Sequence, residues 1–216
     1  DQATGLTYAL NGAAPTGLTF NTNGSYSFDA ASYDSLASGA SQIITIPYTV
    51  TDANSATSTA NLVITITGTN DAAVISGVST AALTETNTAL TASGSLSASD
   101  VDSSAAFVAQ TGVAGSNGYG SFSIGTNGAW TYTASTAHDE FTAGTNYTDS
   151  ITVQTADGTT QLITVTITGS NDGPIASAAS NSVLEDGTIT GNVSATDADQ
   201  ATGLTYALNG AAPTGL

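Results

Sequence analysis

Carboxylates recur at matching places along this chain. Asp71 and Asp172 follow Asn70 and Asn171 in the segments GTND and GSND. Glu85 (LTET) matches Glu185 (LEDG). The pair Asp100 and Asp102 matches Asp197 and Asp199, Asp52 matches Asp157, and Asp34 matches Asp139 with Glu140. Asp29, Asp149 and Asp186 stand outside the pattern. The chain has no Lys and no Arg, one His and a formal charge of −17, so gathered acids find no internal counterion apart from His138 or a terminus. Four or more carboxylates brought together on such a chain repel one another unless a cation joins them. Ca²⁺ is the ion this chemistry suits, because it is hard and takes about 6–8 oxygens from carboxylates, amides and carbonyls. Zn²⁺ prefers His and Cys, of which the chain has one and none. Mg²⁺ demands tighter geometry and keeps more of its water.

Strands must position these acids. LTFNTNGSYSFD (18–29) matches FSIGTNGAWTYT (122–133), each an Asn-Gly between alternating apolar runs, which is a hairpin signal. Tyr26 aligns with Trp130 and Phe28 with Tyr132, and their period of two puts them on one inward face. IPYTVTD (46–52) matches ITVQTAD (151–157), and LVITITG matches ITVTITG as the last strand of each unit. SGSLSASDVD (93–102) matches TGNVSATDAD (190–199), a strand running into an Asp-x-Asp turn. About seven strands per unit are predicted, and no segment of ten or more residues has a helical period. Alternating strand direction then sorts the acids to the two ends of each unit. One junction gathers Asp34, Asn70, Asp71, Asp100, Asp102 and Asp157; the other gathers Glu85, Asp139, Glu140, Asn171, Asp172, Asp197 and Asp199, with Glu185 in the place of Glu85 one unit on.

The units are parts of a longer repetition. Residues 1–18 return unchanged as 199–216, both reading DQATGLTYALNGAAPTGL. The period is 198 residues, and Asp71 and Asp172, 101 residues apart, divide it into two related units of near 100 each. The expected domains are 1–70, a repeat without its N-terminal part; 71–171, a complete repeat; and 172–216, the first part of the next. Each suits one β-sandwich.

Composition excludes several roles. Nucleic acid needs Lys or Arg against its phosphates, and an anionic membrane surface repels this chain. No run of 18 apolar residues occurs, so no membrane insertion is expected. Without Cys there are no disulfides, and a lone His without a hydrolase motif makes no catalytic triad. The paired acids recur with the fold rather than once, which argues against a glycosidase pair. No catalytic residue is assigned and no enzyme is expected. His138 reads as a surface loop residue and Trp130 as core.

The segment SVLEDGTITGNVSATDADQATGLTYAL (182–208) resembles the opening of a cadherin-type repeat: a Glu after the first strand, then a strand ending in Asp-x-Asp. The GTND and GSND endings with the Asn-Gly hairpin are similar to VCBS and related repeats of giant bacterial RTX-type adhesins. The resemblance spans the whole chain. It implies an all-β fold of tandem Ig/cadherin-like β-sandwich domains stacked end to end. It also implies calcium held at Glu85, Asp100, Asp102, Asp157, Asp172, Asp197 and Asp199. His138-Asp139-Glu140 lies where cadherins carry Asp-Arg-Glu, here without the Arg. The expected function is that of stalk repeats of a secreted or surface-anchored bacterial adhesin, each domain spanning ~35–45 Å. The expected partners are neighbouring repeats of the same chain, with lateral self-association permitted by Thr-rich strand faces. A glycan- or cell-binding module and a self-assembling surface filament are the alternatives.

Overall fold

Thr alternating with Val, Ile and Leu buries one side chain in two, which a pleated strand satisfies. The computed structural model describes residues 5–212, and all its regular structure is strand except one 3₁₀ turn, Ala31–Tyr33. The outermost parts of the duplicated segment, 1–4 and 213–216, lie outside the described residues. Two compact units result. The first runs to Ile75 and includes Ala98–Ala106 and Gln154–Thr159; the second holds Ser76–Ser97, Phe107–Val153 and the chain from Thr160 onward.

In the first unit, β1 (Thr7–Leu10), β4 (Ser41–Thr51) and β5 (Thr57–Thr67) form an antiparallel sheet in the order β1-β4-β5, while β2 (Leu18–Phe20) and β3 (Tyr26–Phe28) form a separate pair. The long β4–β5 ladder runs from Ser41↔Thr67 to Thr51↔Thr57. Asp52 ends β4 and turns the chain, its Oδ1 accepting the N–H groups of Asn54 and Ala56 at 2.9 and 2.8 Å. Leu18 and Ile46 are buried, and Tyr48 packs against Tyr8 and Phe20.

The strands that follow are β6 (Val74–Gly77), β7 (Thr80–Thr84), β8 (Thr91–Ser99), β9 (Gln110–Ala114), β10 (Gly120–Ile124), β11 (Ala129–Ala134), β12 (Asn146–Gln154) and β13 (Thr160–Thr168). They make a five-stranded sheet, β6-β8-β11-β10-β9, and a three-stranded sheet, β12-β13-β7. Phe122, Ile124, Trp130, Tyr132, Ile151, Val153, Ile163, Val165 and Ile167 fill the core. The run 74–84 serves both sheets. It leaves the first after Gly77, whose φ of +109° and close approach to the Ser95 carbonyl exclude a side chain, and joins the second as β7, parallel to β13. The unit closes its sandwich with a first strand cut in two, where the sequence predicted one.

Trp130 is fixed by a gap opposite it. It pairs with Gly94, where a Cβ would sit 2.6 Å from the indole, and its Nε1–H donates to the Val78 carbonyl at 2.7 Å. Asp149 is fully buried and accepts from the N–H groups of Asn117 and Gly120, at 2.9 and 3.0 Å, and from the Tyr132 hydroxyl. Burial first, then the Asp149 charge, pushes the Tyr132 phenol far above its ordinary range. Short strands β14 (Ile175–Ser177) and β15 (Ser194–Thr196) pair beyond the sandwich.

Candidate metal centre

In the second unit the turn after β7, the loop before β12 and the end of β13 bring three acids together. Single oxygens of Glu85, Asp139 and Asp172 lie within 4.8 Å of one another. Glu85 is 1 % exposed. Its backbone N–H bonds the Thr168 carbonyl at 2.8 Å, continuing the β7–β13 ladder by one residue. Its Oε2 accepts from the Ser170 hydroxyl at 2.7 Å and the Ser170 N–H at 3.2 Å. Asp172, 8 % exposed, accepts from the Asn87 amide at 2.6 Å through Oδ1. Asn171 donates to the Asp172 carbonyl at 2.9 Å, as Asn70 does to Asp71 in the first unit.

Each of the three acids keeps one buried oxygen without a partner: Glu85 Oε1, Asp139 Oδ1 and Asp172 Oδ2. Asp102 Oδ2 and Asp199 Oδ1 share that condition. These five oxygens belong to acids predicted to hold calcium, and Gln110 Oε1, also buried without a partner, does not. Buried carboxylate oxygens without donors are costly, and a hard cation is the group that satisfies several at once. The residues fit the ion.

His138 explains how Asp139 is aimed. The ring is buried, against the expectation of a surface position, and sits at φ +64°. Its Nδ1 lies 2.8 Å from Glu140 Oε1 and its Nε2 lies 2.6 Å from the Tyr119 carbonyl. The ring stacks on Phe141 with centroids 4.6 Å apart. Glu140, expected beside Asp139 as a ligand, turns instead to His138, and that hydrogen bond lowers its carboxyl pKa. Residues 138–141 thus split two adjacent acids between two tasks.

Asp197 and Asp199 close a turn in which Asp197 Oδ1 accepts from the Gln200 N–H at 3.1 Å. The Asp197 carboxyl is raised, chiefly because it hydrogen-bonds Asp199. Asp197 and Asn171 line one cleft of about 750 Å³. Glu185 is exposed in a turn closed by the Gly187 N–H on the Leu184 carbonyl and does not join the converging oxygens.

In the first unit, Asp100 Oδ1 accepts from the N–H groups of Asp102 and Ser103 at 3.0 and 2.7 Å, and Asp102 Oδ1 accepts from the Asp71 N–H at 3.4 Å. Burial works to raise both carboxyls. The donors around Asp100 outweigh it and leave that group lowered, while Asp102, facing Asp100 and Asp71, stays raised. Asp157 accepts from the hydroxyls of Thr155 and Thr159 and, at 3.0 Å, from the Ala73 N–H. These bonds, the Thr155 hydroxyl foremost, hold it well below the carboxylate range. Asp34, exposed at the end of the 3₁₀ turn, faces the same groove as Asp71. Ser170, Asn87, Ser103, Thr155 and Thr159 were not singled out in the sequence. The threonines flank Asp157 at two residues either side, a spacing that marks a turn and could have been noticed.

The family model described as Bacterial cadherin-like domain matches residues 70–169. Among solved structures, a crystal structure of Drosophila N-cadherin EC1-4 is 18 % identical with a TM-score of 0.41, covering 82 % of this chain and 45 % of that one. The protocadherin gammaB7 EC3-6 cis-dimer structure is 18 % identical with a TM-score of 0.47, covering 91 % and 49 %. The chain spans about half the length of each. No curated protein matches. The fold is all-β, and residues 70–169 form a cadherin-like β-sandwich. No helix is long and apolar enough to cross a membrane.

Proposed function

We propose that this chain is a run of calcium-stiffened spacer repeats from a large secreted or surface-anchored bacterial adhesin of the VCBS and RTX type. It extends a binding end away from the cell and carries no catalysis of its own. The repeats are 1–70, 71–171 and 172–216, stacked end to end with neighbouring repeats as partners. The observation that carries the reading is the convergence of Glu85, Asp139 and Asp172 on three buried, unpartnered oxygens in a chain without Lys or Arg. Asp197, Asp199 and Asn171 serve the same junction, and Asp71, Asp100, Asp102 and Asp157 serve the other. Glu140 and Glu185 are the weakest members, since one is engaged by His138 and the other is exposed.

Calcium bound to the folded state alone stabilises it by mass action, about 2.7 kcal/mol at a hundred times Kd. In a chain of this size that raises Tm by roughly 5–11 °C for each site. Calorimetric titration of the 216-residue chain with CaCl₂, and melting with and without EDTA, checks this. Binding of at least one ion with a rise in Tm is expected; no binding at millimolar calcium sinks the reading. A glycan-binding module is less favoured because Phe107, Phe122, Trp130, Tyr132 and Phe141 of the complete sandwich are core rather than loop surface.

A further inference from the structure

Asn-Gly pairs occur at 11–12, 23–24, 117–118, 127–128 and 209–210. An asparagine before glycine is open to a reaction that needs only water. The glycine nitrogen attacks the side-chain Cγ, ammonia leaves, and a succinimide remains, which water opens to Asp or isoAsp. Glycine has no side chain to hinder the approach. The pairs at 23, 117 and 127 sit in turns that hold the attacking nitrogen. The Gly24 N–H donates to the Asn21 carbonyl at 2.9 Å, the Gly118 N–H to the Gly115 carbonyl at 3.0 Å and the Gly128 N–H to the Gly125 carbonyl at 3.0 Å. Each bond must break before its nitrogen can reach Cγ. Asn23 and Asn127 do receive donors on Oδ1, from Ser25 and Ala129, but their glycines stay tied.

Asn11 and Gly12 are arranged differently. The Asn11 N–H donates to the Pro47 carbonyl at 2.9 Å, one rung past Leu10↔Tyr48. Gly12 follows outside the ladder, exposed, with nothing within 4 Å of where a Cβ would stand. Its N–H has no acceptor among the described residues. The Thr49 hydroxyl, two positions along β4 from Pro47, donates to Asn11 Oδ1 at 2.7 Å. Negative charge develops on that oxygen when the glycine nitrogen adds to Cγ, and a donor placed there favours the addition. The site is also independent of the strands that open a repeat. In the complete sandwich the strands before β9 join β11 and β13. The β9 side meets β12 instead, through bonds such as the Ser116 N–H to the Ser150 carbonyl at 2.9 Å. β1 and β4 take the places of β9 and β12, so the opening strands of a complete repeat lie away from Asn11.

We propose that Asn11 is a self-deamidation site of this chain, assisted by the Thr49 hydroxyl. The Gly12 nitrogen gives its proton to a solvent base and bonds Cγ, and the charge gathers on Oδ1 against the Thr49 hydroxyl. The Cγ–Nδ2 bond then breaks, and Nδ2 takes a proton from water and leaves as ammonia. Water adds to either carbonyl of the succinimide and gives aspartate or isoaspartate. The net change consumes one water and releases one ammonia, and nothing is oxidised or reduced. The product is a new carboxylate on a chain with no Lys or Arg to meet it. Isoaspartate also lengthens the main chain by one carbon just past the last β1–β4 rung. Residues 1–18 return as 199–216, so Asn209 and Gly210 repeat the pair. An array of such repeats therefore gains negative charge with age, one site per repeat. None of this draws on the calcium reading.

Ageing of the full chain in mildly alkaline, calcium-containing buffer tests this. An Asn209→Ser background keeps the identical flanks of Asn209 from adding signal. Peptic mapping by mass spectrometry reads the change from amide to acid at each asparagine, since the chain gives trypsin no Lys or Arg. An isoaspartyl methyltransferase counts the isoaspartate. In the folded chain Asn11 is expected to lose its amide several-fold faster than Asn23, Asn117 and Asn127. In urea all four should react at similar rates. Thr49→Val should slow Asn11 roughly 2–10-fold in the folded chain, the worth of one hydrogen bond, and leave its rate in urea unchanged. Thr49→Ser, which keeps the hydroxyl, should hold the parent rate. An Asn11 that keeps its amide as long as the other three overturns the proposal. So does a Thr49→Val chain that is folded by circular dichroism and deamidates as fast as the parent.

Discussion

Glu85 and Asp172 each satisfy one carboxylate oxygen with a protein donor and turn the other toward a shared space. That division gives a change of sign that a merely buried acid would not. Without calcium, Glu85→Gln or Asp172→Asn removes a charge from a crowded, desolvated group and should raise Tm. With calcium in excess, the same variants lose a ligand and should melt below the parent. Groups that merely support a metal ligand cost about 10–100-fold in affinity, so removing the ligand itself should weaken calcium binding by at least that. Melting curves of parent and variants in EDTA and in calcium check the prediction. Destabilisation of equal size in both conditions would leave Glu85 and Asp172 as ordinary structural acids. The recurrence of the acids was legible in the sequence because they return in the same order around GTND and GSND, next to matching strand segments. The split between Asp139 and Glu140 was not. It depends on a buried His138 held by the Tyr119 carbonyl, nineteen residues earlier in the chain, and such a contact leaves no local pattern.

The Asn-Gly hairpins joining β2 to β3 and β10 to β11 form where the sequence placed them. Gly24 and Gly128 take φ +85° and +79°, the left-handed conformation that Asn-Gly turns require. The inward face of β10 and β11 was equally plain, since Phe122, Trp130 and Tyr132 alternate with Thr and Ser at a period of two, but Tyr26, expected inward like Trp130, is 54 % exposed on the short β2–β3 pair. The division of the first strand into β6 and β7 was hidden. Residues 74–84 read as one run of small and β-branched residues, and nothing local distinguishes a strand that stays in one sheet from one that crosses at Gly77. Gly94 was also read only as part of a strand, although it is the space into which Trp130 fits. Gly94→Ala should destabilise the sandwich by about 1–3 kcal/mol through overpacking. Because Trp130 is the only tryptophan, the folded variant should also shift its emission. An unchanged denaturation midpoint would mean that the indole finds room elsewhere.

For the whole molecule, a charge of −17 stands without a single Lys or Arg to offset it. If calcium holds the junctions, chelation frees like charges to repel and the joints to bend. X-ray scattering with EDTA should then show a changed maximum dimension and a broader distance distribution than with calcium. Identical profiles in the two conditions would count against stiffening. Added monovalent salt should restore part of the calcium-free change through screening but not the joint itself.

β7 and β13 have a further consequence. β7, the second half of the run that enters the sandwich, and β13, the strand that leaves it, lie side by side in the same direction, joined over five residue pairs from Thr164↔Thr80 to Thr168↔Thr84. Tension applied to the two ends of segment 80–168 would therefore drag these neighbours past each other lengthwise. All five pairs would bear the load together, where a hairpin would peel open rung by rung. In the spacer proposed above, that parallel seam would resist a pull along the chain.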